Sequence, residues 1–155
     1  QISGNQKRKI RSATRLYIIQ ALFQMEQLGQ SIDQVAEEFI KHRFGANYDE
    51  GQMSDGDETL FKSVLEAAVN YQASIDQLTD RALVEKWPIA RIDPTLRSLF
   101  RSAAAEIVQI KTPPKIVITE YVALAHAFFP DGKEPNFVNA VLDHMAKEAC
   151  PNEFS

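Results

Sequence analysis

The chain has 155 residues, 45% of them apolar and 25% charged, enough for one globular domain or two very small ones. A formal charge of −4 argues against a general polyanion binder, and the single cysteine, Cys150, excludes both an internal disulfide framework and a zinc site needing two thiolates. No apolar run approaches the roughly 20 residues needed to span a bilayer, and the basic first residues lack the apolar segment of a secretory signal, so a non-membrane protein of a reducing compartment is expected.

The apolar residues recur with helical period throughout, and no strand pattern is evident. A first helix is expected from Ser12 to about Leu28. At Ser31 the tetrapeptide SIDQ reads as a capping box, and Ile32, Val35, Ala36, Phe39 and Ile40 follow at amphipathic spacing. Residues 45–58 hold three of the six glycines and many acids but no base, so an exposed loop is expected there, ending in a helix N-terminus near Asp55 to Asp57. Leu60, Val64, Leu65 and Ala68 line the helix that follows. A second SIDQ, Ser74 to Gln77, suggests another capping box, with Ile75, Leu78, Ala82 and Leu83 facing inward up to Pro88.

In IDPTLRSLF, Asp93 is suited to an N-cap and Pro94 to the first helical position; Leu96, Leu99, Phe100, Ala103, Ile107 and Ile110 then form a stripe about four turns long. Pro113 and Pro114 end it. Val117, Tyr121, Leu124 and Phe128 mark one more helix, and Phe137, Val141, Leu142 and Met145 the last. The expected fold class is therefore all-α, with about seven helices joined mostly by short loops and packed as small bundles. A boundary near Trp87 and Pro88 divides it into subdomains of about 7–87 and 88–149.

Catalytic signatures are missing. The sequence has no GxSxG, HExxH or P-loop pattern, and neither DEGQMSDGDE nor DGKEPN places oxygen ligands at EF-hand offsets. His42, His126 and His144 are scattered, and Asp143 and His144, being adjacent on a helix, point about 100° apart. No catalytic residue, metal site or cofactor is expected.

Charge distribution is more informative. Residues 1–15 hold Lys7, Arg8, Lys9, Arg11 and Arg15 with no acid, a charge of +5, whereas residues 31–85 carry −8 and residues 86–115 carry +4. Arg8, Arg11 and Arg15 are spaced to share one helix face and meet successive phosphates; a merely solvated basic tail is the plainer alternative. Arg97 and Arg101 stand four apart and are expected to emerge beside the apolar stripe. Phe128, Phe129 and Phe137 bracket the loop PDGKEPN, with Lys133 at its tip, and one or two of these rings are expected to be accessible for stacking on bases.

The segments RSATRLYIIQALFQME, IDQLTDRALVEKWPIARIDPTLRSLFRSAAAEI, PPKIVITEYVALAHAFF and NFVNAVLDHMAKE, in this order and spacing, resemble the NusB transcription antitermination family over about residues 7–149. The resemblance implies two three-helix subdomains plus a further helix. It implies a cytoplasmic, non-enzymatic factor that pairs with the ribosomal protein NusE and binds boxA RNA in ribosomal RNA transcripts. The pair joins other Nus factors on RNA polymerase, and some relatives form homodimers when free. By the same resemblance Lys7, Arg8, Lys9, Arg11, Arg15, Lys133 and Phe137 are the RNA-contacting positions. Phe23, at the end of QALF, belongs to the partner surface, to which Arg97 and Arg101 are also assigned. The chain departs from the family where Phe23 replaces a frequent Tyr, Ala105 an aromatic, Ala140 a Gly and Lys133 an acid. Two other readings are an RNA-binding domain like that preceding ribosomal RNA methyltransferases, against which the absence of GxGxxG counts, and a helical scaffold that does not touch RNA.

Overall fold

The computed structural model describes residues 3–48, 51–52, 55–83 and 88–154. Among these it contains seven α-helices: α1 (Gly4–Leu28), α2 (Ile32–Glu38), α3 (Glu58–Asn70), α4 (Gln72–Ala82), α5 (Pro94–Ala105), α6 (Pro114–Phe128) and α7 (Glu134–Ala149). The all-α expectation holds. One small addition lies in the acidic loop, where β1 (Asn47–Tyr48) and β2 (Gly51–Gln52) pair antiparallel. Strands of two residues are too short to show an alternating pattern in sequence.

The chain forms two compact units, Gln1–Glu66 and Ala67–Ser155. The boundary drawn from the sequence is later, and Trp87 lies outside the described residues. In the structure α4 is tied to later helices: Asp76 accepts from Arg101 of α5, and Arg81 donates to Glu148 of α7.

In the first unit, α1 starts eight residues before the expected Ser12. The reason is a capping box at Ser3, whose hydroxyl accepts from Gln6 N at 3.2 Å while Ser3 N donates to Gln6 Oε1 at 2.9 Å. Gly29, in the left-handed conformation at φ 68°, closes the other end, its N–H donating to Met25 O. From Thr14 onward α1 turns apolar side chains inward, with Tyr17, Ile18, Ile19, Ala21 and Leu22 buried. The core is an aromatic cluster. Tyr17 meets Phe39 edge-on and Phe44 at 4.8 Å, while Phe61 stacks on Phe39 and stands perpendicular to Phe44. Gly56 is required beside it, since a Cβ there would lie 2.6 Å from the Phe44 ring. The Thr14 hydroxyl donates to Ile10 O and accepts from Asp57 N, fastening α1 to the start of α3.

The second unit is centred on α5. Asp93 caps it through Oδ1, which accepts from Thr95 N at 2.7 Å and Leu96 N at 3.3 Å, and Pro94 takes the first turn as expected. Leu99, Phe100, Ala103, Ala104 and Ala105 are buried, as are Val117, Tyr121 and Ala125 of α6 and Val138, Leu142 and Met145 of α7, the two helices on which α5 packs. The helix widens into a π-turn at Glu106–Ile110 and ends at Lys111, φ 64°. The buried Glu106 carboxylate accepts from Tyr121 OH at 2.6 Å and from Thr112 Oγ1 at 2.9 Å. Because Tyr121 gives its one proton to Glu106, Ser102 Oγ is the donor in its 2.6 Å contact with Tyr121 OH. The network leaves its buried polar atoms partnered, as among all the described residues.

The second SIDQ does not form the expected capping box. α4 begins at Gln72 after a one-residue break at Tyr71, so Ser74 is already inside the helix and its hydroxyl donates to Tyr71 O.

Candidate nucleic-acid interface

Lys7, Arg8, Lys9 and Arg11 lie on the first two turns of α1 and are exposed. The basic segment is therefore a helix and not an extended tail. No salt bridge or side-chain hydrogen bond engages any of the four among the described residues. Lys7 and Arg11 stand at i, i+4 and Arg8 and Arg11 at i, i+3, so neighbouring cations share a face. They also sit at the positive end of the helix dipole, and the first turn has no acid to offset it. This arrangement costs helix stability and creates a concentrated positive surface in an acidic chain.

Arg15 does not belong to that surface. It is only 4% exposed and has an interaction partner within the fold. The helical spacing that grouped it with Arg8 and Arg11 is correct, but by the fourth turn that face of α1 has entered the core beside Thr14.

In the second unit, Lys133 is exposed at the start of α7, and Phe137 lies half-buried one turn later, its ring edge-on to Phe100 at 6.0 Å. Both line a mainly apolar cavity of about 490 Å³, whose wall includes Ile92 and Leu96 and whose rim carries Arg91. Arg91 contributed to the local +4 in the sequence but had not been singled out. Only its position on the short turn Ile89–Arg91, brought against the α7 terminus, reveals it. Phe128 and Phe129 are also half-buried, with ring centroids 6.4 Å apart, so none of the three rings is fully enclosed.

The expected partner residues separate. Phe23 is 37% exposed on α1, with Leu28 exposed five residues on, as a docking surface requires. Arg97 and Arg101 are engaged within their own unit. Arg97 Nη1 donates to the carbonyls of Ile89, Ala90 and Ile92, and so holds the turn before α5. Arg101 grips Asp76 with two hydrogen bonds of 3.0 and 2.9 Å, in a pair whose side chains are 14% and 20% exposed.

His42, His126 and His144 are exposed, and among the described residues no group of three His, Cys, Asp or Glu side chains could hold a metal. No helix among them is long and apolar enough to cross a membrane.

A model of the NusB family matches residues 12–147. The chain belongs to the NusB family. It is 40% identical to the transcription antitermination protein NusB of Granulibacter bethesdensis, covering 97% of this chain and 96% of that one, and 40% identical to that of Maricaulis maris over 94% and 91%. Among solved structures it resembles NusB of T. maritima, at 28% identity and TM-score 0.74 over 93% of this chain and 96% of that one. It shares its fold with a chain from a complex of the antitermination factors NusB and NusE with double-stranded RNA, at 21% identity and TM-score 0.74 over 94% and 99%. The four exposed cations stand just before the span that the family model matches.

Proposed function

We propose that this chain is a transcription antitermination factor of the cytoplasm, acting by binding and not by catalysis. It pairs with the ribosomal protein NusE and takes boxA RNA of ribosomal RNA transcripts, within a complex that includes other Nus factors and RNA polymerase. The observation that carries this reading is the set of four exposed, unpaired cations on the opening turns of α1, set in a chain of net charge −4. Family membership and the relatives' antitermination function support it. The cations supply phosphate attraction independent of sequence, Lys133 and Phe137 add contacts from the second unit, and Phe23 serves the protein partner.

The test is a titration of labelled boxA RNA, with NusE present, across a salt series. Four engaged phosphates on a single strand predict a slope of log K against log salt of about −2.8. Replacing Lys7, Arg8, Lys9 and Arg11 together by Gln should make the slope shallower by about 2.8, leaving what Lys133 and NusE contribute. A wild-type slope already near zero would remove the basis of this reading.

A further inference from the structure

Helix α6 is packed on one side and bare on the other. Val117, Tyr121 and Ala125 are buried, while the opposite face turns Ile116, Thr119, Ala123 and Ala127 to solvent, with Ile116 48% exposed. The helix has one acid, Glu120, which is half-buried and engaged within the chain. A surface helix normally carries charge on the face away from the core, as α7 does with Lys147 and Glu148 exposed. From Ile116 to Phe128 the exposed face of α6 has no Lys, Arg, Asp or Glu.

Charge gathers instead at one end. Lys111 and Lys115 flank the entry to α6, both exposed and neither in an ion pair or side-chain hydrogen bond among the described residues. The first turn of α6 has no acid, so the positive end of its dipole adds to theirs. The backbone of Lys111 is fixed before any partner arrives. It holds φ 64°, a conformation that residues with a Cβ rarely adopt. Its N–H and that of Thr112 donate to Glu106 O, and Thr112 Oγ1 donates to the Glu106 carboxylate at 2.9 Å. Within this unit, α5 and its π-turn, about 25 Å of helix, separate Lys111 from the Asp93 cap beside the Phe137 cavity.

A second copy of the chain does not suit this face, because antiparallel pairing of two α6 helices sets Lys115 against Ala127 and His126 with no acid to meet it. RNA does not suit it either, since the face exposes no aromatic ring on which a base could stack. A helix with an apolar stripe and a few acids answers both parts: aliphatic side chains for Ile116, Ala123 and Ala127, carboxylates for Lys111 and Lys115. The small side chains of Thr119, Ala123 and Ala127 let such a helix approach closely. We propose that the outer face of α6 is a docking surface for a protein partner, which presents an amphipathic helix whose acids meet Lys111 and Lys115. An antiparallel helix also brings the negative end of its own dipole to these cations. The surface is additional to the RNA and NusE contacts proposed above and does not depend on them.

The experiment uses the full chain, without RNA, and two labelled synthetic helices of about 18 residues, roughly 27 Å long. Both carry leucines along one face; one has glutamates in its last two turns and the other lysines at the same places. Fluorescence anisotropy at low salt compares wild type with Ala123→Arg, with Lys111→Glu and Lys115→Glu together, and with the α1 variant in which Lys7, Arg8, Lys9 and Arg11 are Gln. The substituted positions are exposed, and glutamate suits the first turn of α6, so the double reversal keeps the test valid if Ala123→Arg fails to fold. Wild type should bind the acidic peptide about tenfold more tightly than the basic one, and the double reversal should invert that preference. Ala123→Arg should weaken both peptides about tenfold, and the α1 variant should leave the preference as it is.

No binding of the acidic peptide by wild type, or equal binding of the two, overturns the proposal. So does loss of the preference in the α1 variant, which would mean that the acidic peptide is held by the cations of α1. If Ala123→Arg weakens capture of NusE, or dissolves a dimer of the free chain seen by sedimentation, the occupant is NusE or a second copy and the assignment falls. If the double reversal weakens boxA RNA binding as strongly as the α1 variant does, the occupant is RNA and it falls as well.

Discussion

The opening turns of α1 and the middle of α5 look alike in sequence: each places arginines three or four residues apart on a helix. In the structure they have opposite fates. Arg8 and Arg11 are exposed and unpaired, whereas Arg97 and Arg101 are bound to three carbonyls and a carboxylate. What separates them is the supply of acceptors within reach. α5 follows a turn whose carbonyls point back at Arg97, and α4 delivers Asp76 to Arg101. The first turns of α1 have no acid, lie exposed and carry an unfavourable dipole. A cation is available to RNA where the fold gives it nothing else to bind.

That contrast can be broken most forcefully at Arg101. Arg101→Ala leaves the Asp76 carboxylate in a mostly buried site without its bidentate partner, and should lower unfolding free energy by about 2–3 kcal/mol in urea titrations. RNA affinity of the folded variant should not change; a loss would make Arg101 an RNA contact and break the contrast. Arg97→Ala removes one donor from the turn before α5 and should cost about 1–2 kcal/mol, again without affecting the RNA salt slope. The sign reverses in α1. Lys7→Glu replaces a cation with an acid in the first turn, so it should raise stability by about 0.3–1 kcal/mol while weakening RNA binding. If stability and affinity fall together, the cations of α1 support the fold and the contrast fails.

Much of this was legible from the sequence. Helical period identified the stripes of α3, α5 and α7, and Asp93 with Pro94 marked the start of α5 because cap and proline depend on a few neighbouring residues. What failed depended on distant parts of the chain. The two SIDQ segments are identical, yet Ser31 caps α2, its hydroxyl accepting from Gln34 N at 3.2 Å, whereas Ser74 lies within α4. The motif can cap only where the preceding chain is non-helical, and α3 continues almost directly into α4. Ser3 and Gln6 form a capping box of the same local kind, but the polar, basic stretch behind it lacks the apolar face by which helical period is read. In the candidate interface, the basic cluster Lys7 to Arg11 is legible from local pattern and Phe23 only from the family resemblance, whereas the burial of Arg15, the engagement of Arg97 and Arg101 and the presence of Arg91 at the Phe137 cavity all needed tertiary neighbours.

The smallest expected effect lies between the two extremes, at Arg81. It donates to Glu148 through Nε at 2.9 Å and Nη2 at 2.6 Å, joining α4 to α7 as α5 is joined to α4, but in the open: the side chains are 55% and 36% exposed. The hydrogen bond from Arg81 holds the Glu148 carboxyl below its ordinary value near 4.5. A carboxyl whose pKa is lower folded than unfolded stabilises the fold above its unfolded value, and that stabilisation is lost as pH falls through the folded value. The melting temperature of wild type should therefore exceed that of Glu148→Gln by a small margin at neutral pH, and the margin should shrink as the solution is acidified below the usual carboxylate range. Added salt should shrink it too, since an exposed pair is screened where the shielded Arg101–Asp76 pair is much less so. A margin that persists unchanged in acid would mean that Glu148 contributes by packing, and that exposure alone does not grade the arginines of this fold.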